Sequence, residues 1–411
     1  MPLYFKFAHN PEMTLPSYSV SQIKRFIYLK EIFFISITGF GGPGAHLNAI
    51  IKHLVNKRQY LSKAELLELH SFCQMLPGPT STQMITSLGY QLGGPLLAFT
   101  ALLIWILPAT LLMTGFVVAW HFIGVKQIPM DFLSYIHPMA VAFIAGAAIK
   151  VFLMIQKKTL YVILYGMGTV GAIVFRSPWI FPVLLGIGAI VSHRASQGDF
   201  PAYRAKIRPN WRIFILFISI LIISAVVGNI TQSKPVLLFE NSYQYGSIVF
   251  GGGNVLIPMM YKQYVTFKGY MGADDFLLGV GLQQAVPGPV FSIATYANGQ
   301  AMADWGVMGQ LLGCLLGTVG IFLPGILMIF FLFPIWDEMK KMPLVRKAID
   351  GITAVSAGLV LAAAALLFQD LDLGMVNFLV FFITLLLVMF TKIPSPIIVA
   401  ATVVFGLIYP A

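Results

Sequence analysis

Apolar positions in this chain come in long unbroken runs, without the alternation of strands or the one-sided periodicity of soluble helices. Twelve stretches of at least 17 residues contain no Asp, Glu, Lys or Arg: Ile32–Ile51, Leu69–Val125, Phe132–Ile149, Thr159–Phe175, Ser177–His193, Ile213–Ser233, Asn241–Tyr261, Phe276–Ala303, Trp305–Trp336, Gly351–Gln369, Leu373–Thr391 and Ile393–Ala411. A helix that crosses a bilayer needs about 20 apolar residues. Each stretch therefore predicts one membrane segment, and the 57 residues of Leu69–Val125 predict two, broken near Gly93-Gly94-Pro95. That makes thirteen segments. Barrel strands would read as short alternating segments, and none is seen. The first thirty residues are polar and lack the short apolar core of a secretory signal.

The polar punctuation repeats. Phe40-Gly41-Gly42 recurs as Phe250-Gly251-Gly252, and Pro77-Gly78-Pro79 as Pro287-Gly288-Pro289, both 210 residues apart. Lys52/Lys262, Tyr60/Tyr270, Leu67/Leu277, Gln74/Gln284 and Gly89/Gly299 keep the same offset, and Leu107-Pro108 matches Leu323-Pro324 after a six-residue slip. A constellation in one register marks an internal repeat. The expected organisation is a cytoplasmic segment over 1–28, a first repeat over 29–194, a basic linker with one connecting transmembrane helix over 195–240, and a second repeat over 241–411. With about six segments in each repeat, the unpaired helix inverts the second against the first. The fold class is an all-α polytopic membrane protein of two inverted repeats, with helices broken or re-entrant at the Gly/Pro motifs. Many secondary transporters are built so, with the substrate site at the midplane.

Composition agrees with a membrane chain: 58% of residues are hydrophobic, only 10% are charged, and the mean hydropathy is +0.84. Soluble domains carry about 25% charged residues. The net charge of +11 would suit nucleic acid on a soluble protein; here it reads as a topology signal, and nucleic acid is not an expected partner. With a cytoplasmic N-terminus and thirteen crossings, 19 of 26 basic residues lie inside and seven outside, as the positive-inside rule asks. The C-terminus is then periplasmic or extracellular. The weak point is the loop with Lys52, Lys57, Arg58 and Lys63, which this count puts outside. Either the loop is an exception, or the first two segments dip in and return without both crossing. Cys73 and Cys314 lie in apolar stretches and offer no disulfide framework.

Candidate chemistry sits at the repeated motifs. Phe40-Gly41-Gly42-Pro43-Gly44 and Phe250-Gly251-Gly252-Gly253-Asn254 are poor continuous helix, and bare backbone at membrane depth is tolerated only where protein or a polar cavity receives it. Proline favours the first helical turn, so half-helices are expected to start at Pro79 and Pro289, aiming unpaired N–H groups and a positive dipole end at an anion. Gln74, Gln283, Gln284, Thr80, Ser81, Thr82, Ser292 and Thr295 flank the breaks as further donors. His46 follows the first glycine motif, and an ionisable group at that depth is a functional candidate. The plainer alternatives are close helix packing at the glycines, kinks at the prolines and satisfied interhelical hydrogen bonds at the polar side chains. No acidic pair lies deep in the apolar stretches, so no proton relay is evident.

At these motifs the sequence resembles the chromate ion transporter family in its long form of two fused halves. The resemblance rests on Phe40 to His46, Pro77 to Thr82 and Ile106–Ala109 in the first half, and on Phe250 to Gly253 and Gln284 to Phe291 in the second. It implies export of chromate from the bacterial cytoplasm across the inner membrane, chromate resistance, and sulfate as a chemically similar competitor. There are departures. Gln83 stands where the family commonly has an acidic residue, His53 and Asn56 stand in a loop that is often acidic, and Asn254 stands where His or an aromatic is expected. The expected partners are a chromate- or sulfate-like oxyanion and the lipid bilayer, with a homodimer left open; no cofactor or metal is required. Sulfate transport, even import, is the alternative within this class. An intramembrane enzyme acting on lipid-linked phosphate would need a carboxylate cluster or a base beside a nucleophile, and the apolar core offers neither.

Overall fold

In the computed structural model the described residues are 20–40, 42–74, 76–125, 134–154, 159–175, 180–195, 209–249, 253–339, 343–369, 371, 374–391 and 393–409. They form helices and short connections, with no strand among them. The order is α1 Val20–Thr38, α2 Gly42–Ile50, α3 Lys63–Gln74, α4 Thr80–Val125, α5 Ile136–Met154, α6 Thr159–Val174, α7 Ile180–Arg194, α8 Trp211–Thr231, α9 Lys234–Ile248, α10 Gly253–Tyr261, α11 Ala273–Ala285, α12 Ile293–Ala301, α13 Gly306–Leu332, α14 Trp336–Met339, α15 Pro343–Gln369, α16 Met375–Phe390 and α17 Ser395–Ile408. Gly93 (φ −161°, ψ 17°) and Gly94 (φ 75°, ψ −167°) divide α4 into α4a, 80–92, and α4b, 95–125, where the Gly-Gly-Pro run predicts the break.

The charge-free stretches do not map one to one onto helices. Ile32–Ile51 contains the end of α1, a non-helical turn at Gly39-Phe40 and the whole of α2. Asn241–Tyr261 likewise contains the end of α9 and the whole of α10. Four spans are long and apolar enough to cross a membrane: Thr80–Phe122, Trp211–Thr231, Ala303–Ile335 and Asp350–Gln369. Five shorter apolar helices accompany them: Ile136–Lys150, Thr159–Val174, Val183–Arg194, Met375–Phe390 and Ser395–Ile408. The chain is thus an all-α, multi-pass membrane protein. Large apolar side chains on α4b, α8 and α16 face outward, as a lipid-facing surface requires.

The element series of α1 to α4 recurs in α9 to α13. π-Helical turns at Ile51–Lys57 and Lys262–Phe267 follow α2 and α10. Gln59 (φ 52°) and Gly269 (φ 57°) then reverse the chain in the same left-handed conformation, 210 residues apart. The same carbonyls take the next N–H groups, Tyr60 to Leu54 at 2.9 Å and Tyr270 to Tyr264 at 2.7 Å. Gly306 (φ 67°, ψ −171°) repeats the conformation of Gly94.

Hydrogen bonds show which ends lie side by side. Tyr60 donates to the Lys24 carbonyl at 2.6 Å, and Arg25 Nε to the Leu92 carbonyl at 3.4 Å. Buried Glu31 on α1 takes His53 Nδ1 at 2.7 Å, Lys57 Nζ at 3.1 Å and Arg58 Nε at 2.7 Å. The turn after α2 and the end of α4a therefore lie beside the early part of α1. In the second half Lys234 meets Asp304 at 2.7 Å. Gln263 donates to Asn241 at 3.2 Å; these two stand at the positions of His53 and Glu31, so a neutral amide pair replaces an ionic cluster. A second exchange runs the other way. Ser242, Tyr264 and Asn298 form a buried hydrogen-bonded chain with contacts of 2.6 and 2.7 Å, where the first half has the apolar residues Ile32, Leu54 and Leu88.

α15 packs along α5, α6 and α7, and α13 along α9, α12 and α4. Small residues permit these approaches. A Cβ at Gly246 would sit 2.5 Å from the Ile321 carbonyl oxygen, and one at Gly351 would collide with the Gly188 backbone.

Candidate functional site

Each half contributes two broken-helix apices, one after α1 or α9 and one between α3 and α4a or between α11 and α12. Their backbones are exchanged. Gly78 N–H donates to the Val249 carbonyl at 2.7 Å, and Gly288 N–H donates to the Gly39 carbonyl at 3.0 Å. Gly39 and Val249 are 210 residues apart, as are Gly78 and Gly288, so the two bonds are the same bond made twice. A helix that stops where protein buries its end leaves carbonyls without partners, and here each half's Pro-Gly-Pro turn satisfies the stopped helix of the other. Both glycines need their residue type: φ is 114° at Gly78 and 108° at Gly288, a region L side chains rarely adopt. A Cβ at Gly78 would lie 3.5 Å from Gly325 Cα on α13, and one at Gly288 would lie 3.1 Å from Ala109 Cβ on α4b. Pro77, Gly78, Pro79, Pro287, Gly288 and Pro289 thus line the seam between the halves.

The predicted helix starts are present. α4a begins at Thr80, directly after Pro79. In the second half a 3₁₀ turn, Val290–Ser292, follows Pro289 and leads into α12. The side chains around α4a form a connected set. His46 is buried, with Nε2 3.0 Å from the Gly39 carbonyl and Nδ1 3.1 Å from Ser81 Oγ. Its ring stands perpendicular to Trp105 at 5.1 Å between centroids, and the Trp105 indole N–H donates to Thr82 Oγ1 at 3.0 Å. In this arrangement both His46 nitrogens are engaged, and the ring joins the apex at Gly39 to the start of α4a. Thr80, Ser81 and Thr82 are all buried. Gln83 Nε2 donates to the Pro77 carbonyl at 2.6 Å, while its Oε1 is buried without a hydrogen-bond partner. The Ser292 hydroxyl and Gln283 Oε1, beside the second Pro-Gly-Pro, are also buried without partners. Thr295 pairs with Thr318 at 2.8 Å.

The remaining sequence candidates divide. Gly42 opens α2 with φ 75°, and Gly44 lies within that helix. Gln74 ends α3, and Gly253 and Asn254 open α10; the side chains of Gln74 and Asn254 lie outside what is described. Gln284 is half-buried near the end of α11. Gly41, Gly251 and Gly252 lie outside the described residues. Trp105 was not among the candidates, because a tryptophan in an apolar run carries no signal of its own; its place one turn before Pro108 is the only hint. Among the described residues no group of three or more His, Cys, Asp or Glu could hold a metal ion. What the arrangement offers is backbone N–H groups, hydroxyls and the unpartnered amide oxygens of Gln83 and Gln283, with no fixed full charge.

Comparison with known proteins follows the same two-part division. The sequence profile of the chromate transporter family matches residues 27–192 and 236–407. A probable chromate transport protein of Synechococcus elongatus is 26% identical over 403 residues, covering 96% of both chains. The chromate transport protein of Cupriavidus metallidurans is 24% identical over 414 residues, covering 97% of this chain and 95% of that one. An uncharacterized transporter of Methanocaldococcus jannaschii is 23% identical over 385 residues, covering 90% of this chain and 91% of its own. No solved structure matches the chain.

Proposed function

The chain belongs to the chromate transporter family, and from that premise we propose that it carries chromate, a tetrahedral oxyanion, out of the cytoplasm of a bacterial cell by alternating access between two inverted halves. The observation that carries this reading is the exchanged pair of backbone bonds, Gly78 to Val249 and Gly288 to Gly39. They bring two proline-led helix starts to one seam, and a helix start is a ready anion site. Neutral donors suit a ligand that must also leave, since a buried full cation would hold an anion too firmly. Each negative charge leaving a negative interior gains about 2.3 kcal/mol per 100 mV, so efflux needs no dedicated proton relay.

The proposed topology departs from thirteen crossings. α1–α2, α3–α4a, α9–α10 and α11–α12 are read as four re-entrant hairpins whose apices meet at the seam, and the nine crossings are α4b, α5, α6, α7, α8, α13, α15, α16 and α17. The contacts of Tyr60 with Lys24 and of Glu31 with Lys57 and Arg58 support this, because they hold the first hairpin's tip beside the N-terminal part of α1. Lys52, Lys57, Arg58 and Lys63 then move inside, while Lys262 and Lys268 move outside, raising the inside basic count from nineteen to twenty-one of 26. The outer surface keeps five basic and seven acidic residues. The second alternative for the Lys52–Lys63 loop, dipping in and returning, fits the positive-inside rule better. Four crossings in the first half plus α8 make an odd number, so the second half starts from the opposite side and the C-terminus lies outside.

The test is flux of labelled chromate and sulfate in proteoliposomes under an imposed potential. Chromate movement that responds to the potential and saturates is expected. No chromate movement, or equal passage of every small anion, rejects the reading.

A further inference from the structure

We propose that Gln83 selects a protonated tetrahedral oxyanion, hydrogenchromate or a hydrogenphosphate, over fully deprotonated sulfate, on the reading above that the Pro77–Thr82 turn is where the anion binds. Gln83 is 1% exposed. Its amide orientation is fixed by chemistry: Nε2 donates to the Pro77 carbonyl at 2.6 Å, and a reversed amide would set two acceptor oxygens against each other. Oε1 is therefore the atom left over, buried and without a partner. A buried acceptor in that state asks for a donor.

The same turn also offers donors. The first N–H groups of α4a precede the helix's own hydrogen-bond ladder; the Gln83 N–H is already taken, by Pro79 O at 3.0 Å. Bare oxyanion oxygens match such N–H groups. Only an oxyanion that keeps a hydroxyl also matches Oε1, whereas a sulfate oxygen there would face an acceptor with an acceptor. Chromate and phosphate hold such a proton close to neutral pH, and sulfate does not. The carboxamide lies at the seam, since a Cβ at Gly78 would be 3.1 Å, and one at Gly325 3.7 Å, from Gln83 Nε2. The equivalent position in the second half is Ile293, buried and apolar; the unpartnered Gln283 Oε1 precedes the second Pro-Gly-Pro, whereas Gln83 follows the first.

A site built to bond a ligand hydroxyl rejects the analogue that lacks it. Titration of the protein is not the source of the expected pH dependence: Pro77, Gly78, Pro79 and Gly325 carry no ionisable group, α13 has no acidic or basic residue, and His46, on Ser81, is the titratable side chain of the turn.

The experiment is initial flux of chromate, phosphate and sulfate in proteoliposomes at fixed potential across a pH series, for the full chain and for Gln83→Met, Gln83→Glu and His46→Gln. For the native sequence, the concentration of total chromate giving half-maximal flux should rise about tenfold per pH unit once hydrogenchromate becomes the minor form, and sulfate should be poor throughout. Gln83→Met should lower chromate and phosphate flux about tenfold without lowering sulfate, so that selectivity collapses. Gln83→Glu keeps an acceptor and loses the donor to Pro77. Retained chromate flux there, with sulfate rejected further, separates recognition from support of the turn. His46→Gln should leave the pH slope in place. Equal use of chromate and sulfate by the native chain, a pH-independent half-maximal concentration, or equal loss of all three anions in both Gln83 variants would overturn the assignment to Gln83 alone. No flux of any oxyanion overturns it together with the transport reading beneath it.

Discussion

Replacing Gly78 or Gly288 with alanine tests whether the seam is held as described. At φ 114° and 108° a side chain strains the backbone by about 1–3 kcal/mol. The new methyl group would also lie 3.1 Å from Gln83 Nε2 at position 78 and 3.1 Å from Ala109 Cβ at position 288. The first neighbour can swing only by releasing the Pro77 carbonyl, and the second is fixed to α4b. With partial loss of the exchanged N–H bond, worth about 1 kcal/mol, each substitution should cost about 2–4 kcal/mol. An unfolding entropy of about 2.1 cal/mol/K per residue over 411 residues converts that to a fall of about 2–5 °C in thermal midpoint, measured on detergent-solubilised protein. The double variant should fall by less than the sum, because both bonds close one seam. Gly115→Ala is the control: nothing lies within 4 Å of a Cβ there, and alanine is the better helix former. If Gly288→Ala melts where Gly115→Ala does, the exchanged bonds do not hold the halves together and the seam is misassigned.

Glu31→Gln leaves His53, Lys57 and Arg58 without their shared anion and should cost about 1–2 kcal/mol, less than a wholly buried pair because Lys57 and Arg58 are 53% and 35% exposed to screening water; Glu31→Asn with His53→Gln, which installs the Asn241–Gln263 pair, should melt closer to the native protein than Glu31→Gln does, and the same thermal scan decides it. Trp105→Phe removes the indole donor to Thr82 while keeping a ring against His46, so a loss of about 1 kcal/mol and reduced chromate flux are expected; unchanged flux would make Trp105 packing only. Single cysteines at Gln59 and Gly269, the paired hairpin turns, should react with a membrane-impermeant thiol reagent from opposite sides of the membrane, Gln59→Cys from the cytoplasmic side. Labelling of both from one side would reject the inverted arrangement.

The membrane class, the internal repeat and the break at Gly93-Gly94 could all be read from the sequence, because charge-free length and repeated Gly/Pro spacing survive in one dimension. How the charge-free stretches divide into helices could not. The turn at Gly39-Phe40 carries no charge, so the end of α1 and the whole of α2 merge into one apolar stretch of spanning length. The Pro-Gly-Pro turns were visible as helix starts, but their partners were not, since Gly39 and Val249 act through backbone carbonyls, which leave no mark in a sequence. His46 was visible as a histidine at depth; that Gly39 and Ser81 occupy both its nitrogens depends on three elements folding together. Glu31 directly precedes the first charge-free stretch in the sequence, and that His53, Lys57 and Arg58 gather around it depends on α1 and the turn after α2 folding together.

The exchanged backbone bonds also set a timetable for biogenesis. The Gly39 carbonyl is synthesised 249 residues before its donor at Gly288. At about 5–20 residues per second, the first half waits roughly 10–50 seconds in the insertion machinery or the bilayer with its apex unpaired. Water, a neighbouring protein or a chaperone must satisfy that carbonyl in the interval. Cutting the chain within 196–208 and supplying both pieces should therefore restore a folded protein, whereas the first piece alone should be recognised by quality control as unfinished.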